Sequence, residues 1–208
     1  MIKKTYSQAG QDVFIFNLFK QQVGTFLDLG CSHPTDINNT YLLELNGWKG
    51  LSIDILDFEA QWKKRSNTFL NLDCFAIDYN QLLSEHFDGK VIDYLNLDME
   101  KCGDRYKLLE KVINSDFTFK AITLEHDSYI GSNFVENEKV PQRKLLEEKG
   151  YFLLCSDVSP SQHPNLNFED WWVNKEFFNI NEILEWQSNK LSCDKIIEKA
   201  GINYSEYF

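Results

Sequence analysis

The sequence predicts an α/β protein built on a doubly wound, mostly parallel sheet. Three observations carry that expectation: apolar runs of strand length recur along the chain, helix-length segments separate them, and nearly every run closes on a carboxylate. A strand covered on both faces reads as an unbroken apolar run, and a parallel neighbour can be reached only through a crossover of helix length. Such sheets bind ligands outside the carboxyl ends of their strands, so the closing acids mark where chemistry belongs.

Taken in chain order, a helical segment is expected over about 8–22, opened by Tyr6-Ser7-Gln8-Ala9-Gly10-Gln11-Asp12 with Ser7 as N-cap. Two glutamines and an acid exceed what a cap requires, which makes Gln11 a candidate binding residue. Strand one spans 25–30 and ends Asp28-Leu29-Gly30, an apolar run turning sharply at an Asp-x-Gly. The next helix, 37–47, opens on Asn38-Asn39-Thr40 with Glu44 following; free backbone N–H groups and short amide side chains there suit a carboxylate, with simple capping as the alternative. Strand two, 50–55, closes on Asp54. Helix 57–65 ends in Lys63-Lys64-Arg65, read as a solvated helix end. Strand three, 68–73, closes on Asp73 and Cys74; helix 78–87 follows.

Strand four, 91–98, closes on Asp98 with Glu100 just beyond, and helix 104–114 follows. Strand five, 119–126, runs into Glu125-His126-Asp127. Helix 138–149, strand six at 151–157 and a last strand near 170–174 complete the sheet. In that last strand Trp171 and Trp172 must face opposite sides; structural packing of both is the favoured reading, with one in the core and the other walling a site as the alternative. The segment 180–201 reads as helical, and 202–208 has no clear period. The expectation is a single domain, with an N-terminal helical segment over 1–22 and a C-terminal helical extension over 180–208.

Composition narrows the function. A formal charge of −11 on 208 residues opposes a nucleic-acid partner, which requires clustered Lys and Arg. No run of about 18 apolar residues appears, and Met1 leads into Ile-Lys-Lys-Thr-Tyr-Ser without an apolar signal core, so a cytoplasmic protein with no membrane partner is expected. Five cysteines without a C-x-x-C pair read as reduced, buried thiols. The paired signature of Gly30 after strand one and Asp54 closing strand two points to a nucleoside cofactor, the acid accepting the ribose hydroxyls. Gly30 is followed by Cys31-Ser32-His33-Pro34, without the further glycines that hug a pyrophosphate. A cofactor with a ribose and no phosphates fits better, which points to S-adenosylmethionine.

At strands four and five, Asp98 with Glu125 or His126 could converge as oxygen and nitrogen ligands on Mg²⁺ or Mn²⁺. His126 has two other readings: a general base, or a structural group hydrogen-bonded at a strand end. Lone loop histidines, His33 and His163, read as surface residues. Lys101, Arg105 and Arg143 are local cations that could meet a phosphorylated or anionic acceptor.

Set together, Ser7-Gln8-Ala9-Gly10-Gln11-Asp12, Phe26-Leu27-Asp28-Leu29-Gly30, Asn38-Asn39-Thr40 with Glu44, Gly47-Trp48-Lys49-Gly50, Ile92 to Glu100 and Leu124-Glu125-His126-Asp127 resemble the FkbM-type methyltransferases over about residues 6 to 174. The resemblance implies a class I (Rossmann-like) methyltransferase fold with a seven-stranded sheet in the order 3-2-1-4-5-7-6, acting with S-adenosylmethionine on hydroxyl oxygens of sugars or other small metabolites. It implies that Asp28 and Gly30 line the methionine part, that Asp54 meets the ribose and that Asp73 with Cys74 lies beside adenine. Two departures stand out: His33-Pro34 where the family often has Gly or Asp-Gly, and Lys101-Cys102-Gly103 after Glu100 where Glu-Gly is common.

The expected activity is an O-methyltransferase acting on a small oxygen-bearing acceptor, with metal or His126 providing for the deprotonated oxygen. An N-methyltransferase and a non-catalytic nucleoside-binding domain are the alternatives; a dehydrogenase is disfavoured by the missing glycines. A homo-oligomer through Trp171, Trp172 and the aromatic tail is a further expectation.

Overall fold

All seven expected strands form in the computed structural model, which describes residues 4–99, 104–160, 163, 165–189 and 193–199. Glu100, Lys101, Cys102, Pro164 and the tail 202–208 lie outside the described residues. The strands are β1 Thr25–Leu29, β2 Lys49–Asp54, β3 Thr68–Asn71, β4 Val91–Leu97, β5 Thr118–Glu125, β6 Tyr151–Val158 and β7 Glu169–Asn174, and a two-residue β8, Ser188–Asn189, extends one edge. Their order is β3-β2-β1-β4-β5-β7-β6-β8. β1 to β5 pair in parallel, and β7 runs antiparallel between β5 and β6.

The helices are α1 Gln11–Leu18, α2 Tyr41–Leu45, α3 Glu59–Trp62, α4 Tyr79–His86, α5 Arg105–Ile113, α6 Ser132–Phe134, α7 Val140–Glu148, α8 Ile180–Ile183 and α9 Cys193–Lys199. A five-residue π-helical stretch, Val135–Lys139, runs from α6 into α7. Two differences from the sequence reading have local causes. α1 begins at Gln11, with Gly10 at the N-cap position, because Ser7 turns its hydroxyl to Asp12 instead of capping the helix; Asp12 also accepts from Thr5 and from the Tyr6 and Val13 backbones. The segment after β7 is no single helix: a 3₁₀ turn follows α8, and Ser188–Asn189 then pairs with β6.

Side-chain alternation splits the core in two. On one face Phe26, Tyr94 and Ala121 pack with Phe14 and Trp48, and Phe14 stacks on Trp171 with ring centroids 4.3 Å apart. On the other, Leu27, Leu29, Leu95, Ile122 and Trp172 pack with Leu108 and Leu109 of α5. Both tryptophans of β7 are thus core residues on opposite faces, fully buried, and neither is placed to form an interface.

The same alternation puts Asp28, Asn96 and Thr123 on the Phe26 face. They stand in register across β1, β4 and β5, which makes the carboxyl half of that face polar.

Candidate active site

The loop after β1 is built around Gly30. Its φ of 80° is left-handed, and a Cβ there would lie 1.9 Å from the Asp98 carbonyl oxygen, so only glycine lets the β1 turn sit against the end of β4. The Gly30 amide donates to the Ile53 carbonyl at 2.9 Å. Asp54 then accepts the Ser32 amide on one oxygen and the Leu56 amide on the other, both at 2.8 Å. A carboxylate has about four lone-pair sites, so each oxygen keeps an acceptor position. Exposed Ile55, Leu56 and Leu72 stand on the same edge, beside Asp54 and Asp73.

Asp73 is exposed and caps a 3₁₀ turn through the Phe75 amide, while Cys74 is buried and burial pushes its thiol up to about 12. Cys31 is likewise buried and raised, first by desolvation. Both thiols are therefore inert at neutral pH.

Asp28 is buried, and its oxygens accept from Thr40 Oγ1 at 2.7 Å and Asn96 Nδ2 at 2.8 Å. Burial pushes Asp28 up to about 6 against those two bonds. Thr123 Oγ1 donates to Asn96 Oδ1 at 2.8 Å, and Tyr94 meets Thr123 at 2.6 Å. Asn39 Nδ2 reaches Asn96 Oδ1 at 3.0 Å and Asp98 Oδ2 at 3.4 Å, leaving its buried Oδ1 without a donor. Gln11 is committed elsewhere: it accepts from the Ala9 amide and donates at 2.9 Å to the buried Glu169, which also takes the Trp171 indole N–H.

Asp98 and Glu125, at the ends of neighbouring strands, hydrogen-bond each other as an acid pair. Burial first, and then the Asp98 carboxylate, push Glu125 up to about 11, although Arg105 Nη2 lies 2.6 Å from it. Desolvation and like-charge repulsion outweigh the guanidinium, so the surroundings favour the protonated form of the pair. Arg105 also donates to Asp127 at 2.8 Å and to the Met99 carbonyl at 2.7 Å. It is therefore a buried organiser of this edge and not a free cation.

His126 lies on the other side of β5. Successive residues of a strand point to opposite faces, and His126 approaches Asp170 at 3.4 Å and Asp157 at 3.9 Å instead of joining Asp98 and Glu125. Of the expected metal ligands, Asp98 and Glu125 are thus brought together and His126 is not, and the guanidinium of Arg105 already bridges Glu125 and Asp127. Among the described residues, one group with metal-ligand spacing is His126, Asp157 and Asp170. It fits an ion poorly. Arg143 chelates Asp170 at 2.6 and 2.8 Å and Lys139 pairs with Asp157, so two cations already balance the two carboxylates. His126 Nδ1 accepts the Ser128 amide at 3.1 Å, which puts the proton of a neutral ring on Nε2, the atom a metal would need bare. Asp170 is held well below the usual carboxylate range, since the Arg143 and His126 contacts outweigh burial.

Arg65 is the residue that sequence reasoning placed wrongly. It is buried, and its guanidinium donates to Glu44 at 2.5 Å, the Pro34 carbonyl at 2.6 Å, Asn38 Oδ1 at 3.1 Å and Thr40 Oγ1 at 3.3 Å. It also packs over Trp62 and Tyr41. Lys63 and Lys64 are exposed, as expected of a solvated helix end. A cavity of about 670 Å³ lined by Trp48, Asn67 and His86, and by Glu44 that pairs with Arg65, opens at the amino ends of the strands, opposite the edge that carries Asp54 and Asp98.

Solved structures share this architecture. An O-methyltransferase from Bacillus cereus, in complex with SAH, superposes with a TM-score of 0.51 at 13% identity, over 78% of each chain. The chain has the class I methyltransferase fold. WbdD superposes with a TM-score of 0.50 at 15% identity over 79% of this chain, which spans 33% of the length of WbdD. At these identities the likeness is one of fold. No family model matches the sequence, and no curated protein matches it. Among the described residues no helix is long and apolar enough to cross a membrane.

Proposed function

We propose that the chain is an S-adenosylmethionine-dependent methyltransferase that acts on an oxygen of a small, uncharged acceptor such as a sugar hydroxyl. The observation that carries this reading is the juxtaposition at one sheet edge of the Gly30 turn, the Asp54 carboxylate and the Asp98–Glu125 pair, with Gly30 seated directly against the Asp98 backbone. Asp54 retains acceptor positions for the ribose hydroxyls. Asn39 Oδ1, buried and without a donor, suits the ammonium of the methionyl end, and Thr40 fixes the neighbouring Asp28.

S-adenosylmethionine supplies an activated methyl group. Held by Gly30, Asp54 and Asn39, it would offer that methyl to the acceptor oxygen, its sulfur keeping the electron pair of the broken carbon–sulfur bond, and alignment by these residues would supply much of the acceleration. The acceptor proton passes to the Asp98–Glu125 pair in its singly ionised state, which has room for a second proton. This reading assigns the base to the acid pair and gives His126 a structural role. Among the described residues, two of the cations that could meet a phosphorylated acceptor, Arg105 and Arg143, are engaged in ion pairs, which favours an uncharged one.

Calorimetry with S-adenosylhomocysteine tests the cofactor. The wild type binds it, and Asp54→Ala weakens binding by more than about tenfold, the equivalent of a charge-assisted bond of roughly 1.5–3 kcal/mol. EDTA changes neither binding nor turnover. An unchanged constant in a folded Asp54→Ala protein would remove the ribose assignment, and turnover lost to EDTA and restored by Mn²⁺ would return a metal to the site.

A further inference from the structure

We infer that Arg65 is the positioning residue that shapes the subsite for the amino-acid end of the cofactor, acting through Asn38 and Thr40 without itself touching the ligand. This rests on the cofactor reading above. The chain between Cys31 and Thr40 contains no regular secondary structure, and two of its residues, Ser32 at φ 46° and Ile37 at φ 47°, hold left-handed backbone that side-chain-bearing residues disfavour. Strained backbone persists only where its surroundings over-determine it.

The guanidinium supplies that determination. Its Nη1 ties the Pro34 carbonyl to Asn38 Oδ1, and the Asn38 amide donates in turn to the Cys31 and His33 carbonyls, each at 3.1 Å. Its Nη2 donates to Thr40 Oγ1, which leaves the hydroxyl proton for Asp28. One side chain therefore fixes both ends of the loop and the direction of the Thr40–Asp28 bond, next to Asn39. Glu44 orients Arg65 through Nε, and Tyr41 and Trp62 cover its flat faces. Trp62 further donates its indole N–H to the Ser32 carbonyl at 3.0 Å, so α3 and the loop are held as one body.

The Arg65→Lys variant keeps the charge and can still pair with Glu44, but an ammonium cannot reproduce the planar fork that serves several acceptors at once. The test compares two probes by calorimetry: S-adenosylhomocysteine and 5′-methylthioadenosine, which lacks the amino-acid end. Arg65→Lys weakens S-adenosylhomocysteine by about tenfold or more and 5′-methylthioadenosine by less than about threefold, a discrimination of at least roughly 0.7 kcal/mol. A purely structural role would weaken both alike, and equal shifts overturn the inference while leaving the cofactor reading intact. Failure of the wild type to bind either probe overturns the cofactor reading and this inference with it. Should Arg65→Lys not fold, Thr40→Val, which removes the hydroxyl between Arg65 and Asp28, must give the same discrimination; equal shifts there also overturn the inference.

Discussion

Replacing Glu125 by Gln should change how stability responds to pH, and the size of the change follows from a single proton. In the folded chain burial and Asp98 push Glu125 up to about 11, whereas in the unfolded chain a glutamate titrates near about 4.3. Between those limits the folded protein holds a proton that the unfolded chain has released. Stability from this group is therefore fully present below about pH 4.3 and is lost as pH rises, by about 1.4 kcal/mol per unit. From about pH 5 to about pH 7 the loss is roughly 3 kcal/mol. Gln keeps the volume and a donor toward Asp98 but has nothing to titrate. Asp28, raised to about 6, and the buried Glu169 and Asp12, also raised, slope the same way, so the quantity to read is the difference between the two profiles. Urea unfolding midpoints across this range measure it: Glu125→Gln should gain about 3 kcal/mol on the wild type between about pH 5 and about pH 7. Parallel profiles would refute the reasoning, because they would mean that Glu125 is ionised beside Arg105 and that the pair shares no proton.

Two other substitutions separate scaffold from site. His126→Asn should keep S-adenosylhomocysteine affinity within about twofold while lowering unfolding free energy by about 1–3 kcal/mol, because it strips a buried partner from Asp170; turnover lost at unchanged stability would return His126 to the chemistry. Gly30→Ala should abolish S-adenosylhomocysteine binding and lower the melting temperature, since the added Cβ meets the Asp98 carbonyl at 1.9 Å in left-handed backbone. Wild-type affinity in that variant would show that the β1 turn does not hold the cofactor.

The strands were legible because parallel strands buried on both faces read as unbroken apolar runs, and their closing acids marked the carboxyl edge in advance. Strand ends fell within two residues of the expected positions, while helices came out shorter, as at α1 and α3, because the expected spans included flanking turns. The separation of Glu125 from His126 was available from strand alternation alone, which already favours Glu125 over His126 as the companion of Asp98. Arg65 was not legible. In Lys63-Lys64-Arg65 nothing local distinguishes the inward residue, whose partners Pro34, Asn38 and Thr40 lie 31, 27 and 25 positions away. Arg143 likewise finds Asp170 at a separation of 27 positions, and only the antiparallel return of β7 brings the two together.

The two ionic systems that flank β5 have different fates under mutation. The cluster of His126, Lys139, Arg143, Asp157 and Asp170 works as a bolt between α7, β6 and β7, and buried ion pairs of this kind are often exchanged for apolar residues of equal volume at no loss of stability. The acids across the strand have no such freedom if they carry protons for a reaction. One sheet thus divides the chain into a side whose ion pairs can be exchanged together for apolar packing, though loss of a single partner is costly, and a side whose acids the proposed reaction would hold in place. Joint replacement of the bolt would then change stability without touching the acids that the proposed reaction uses.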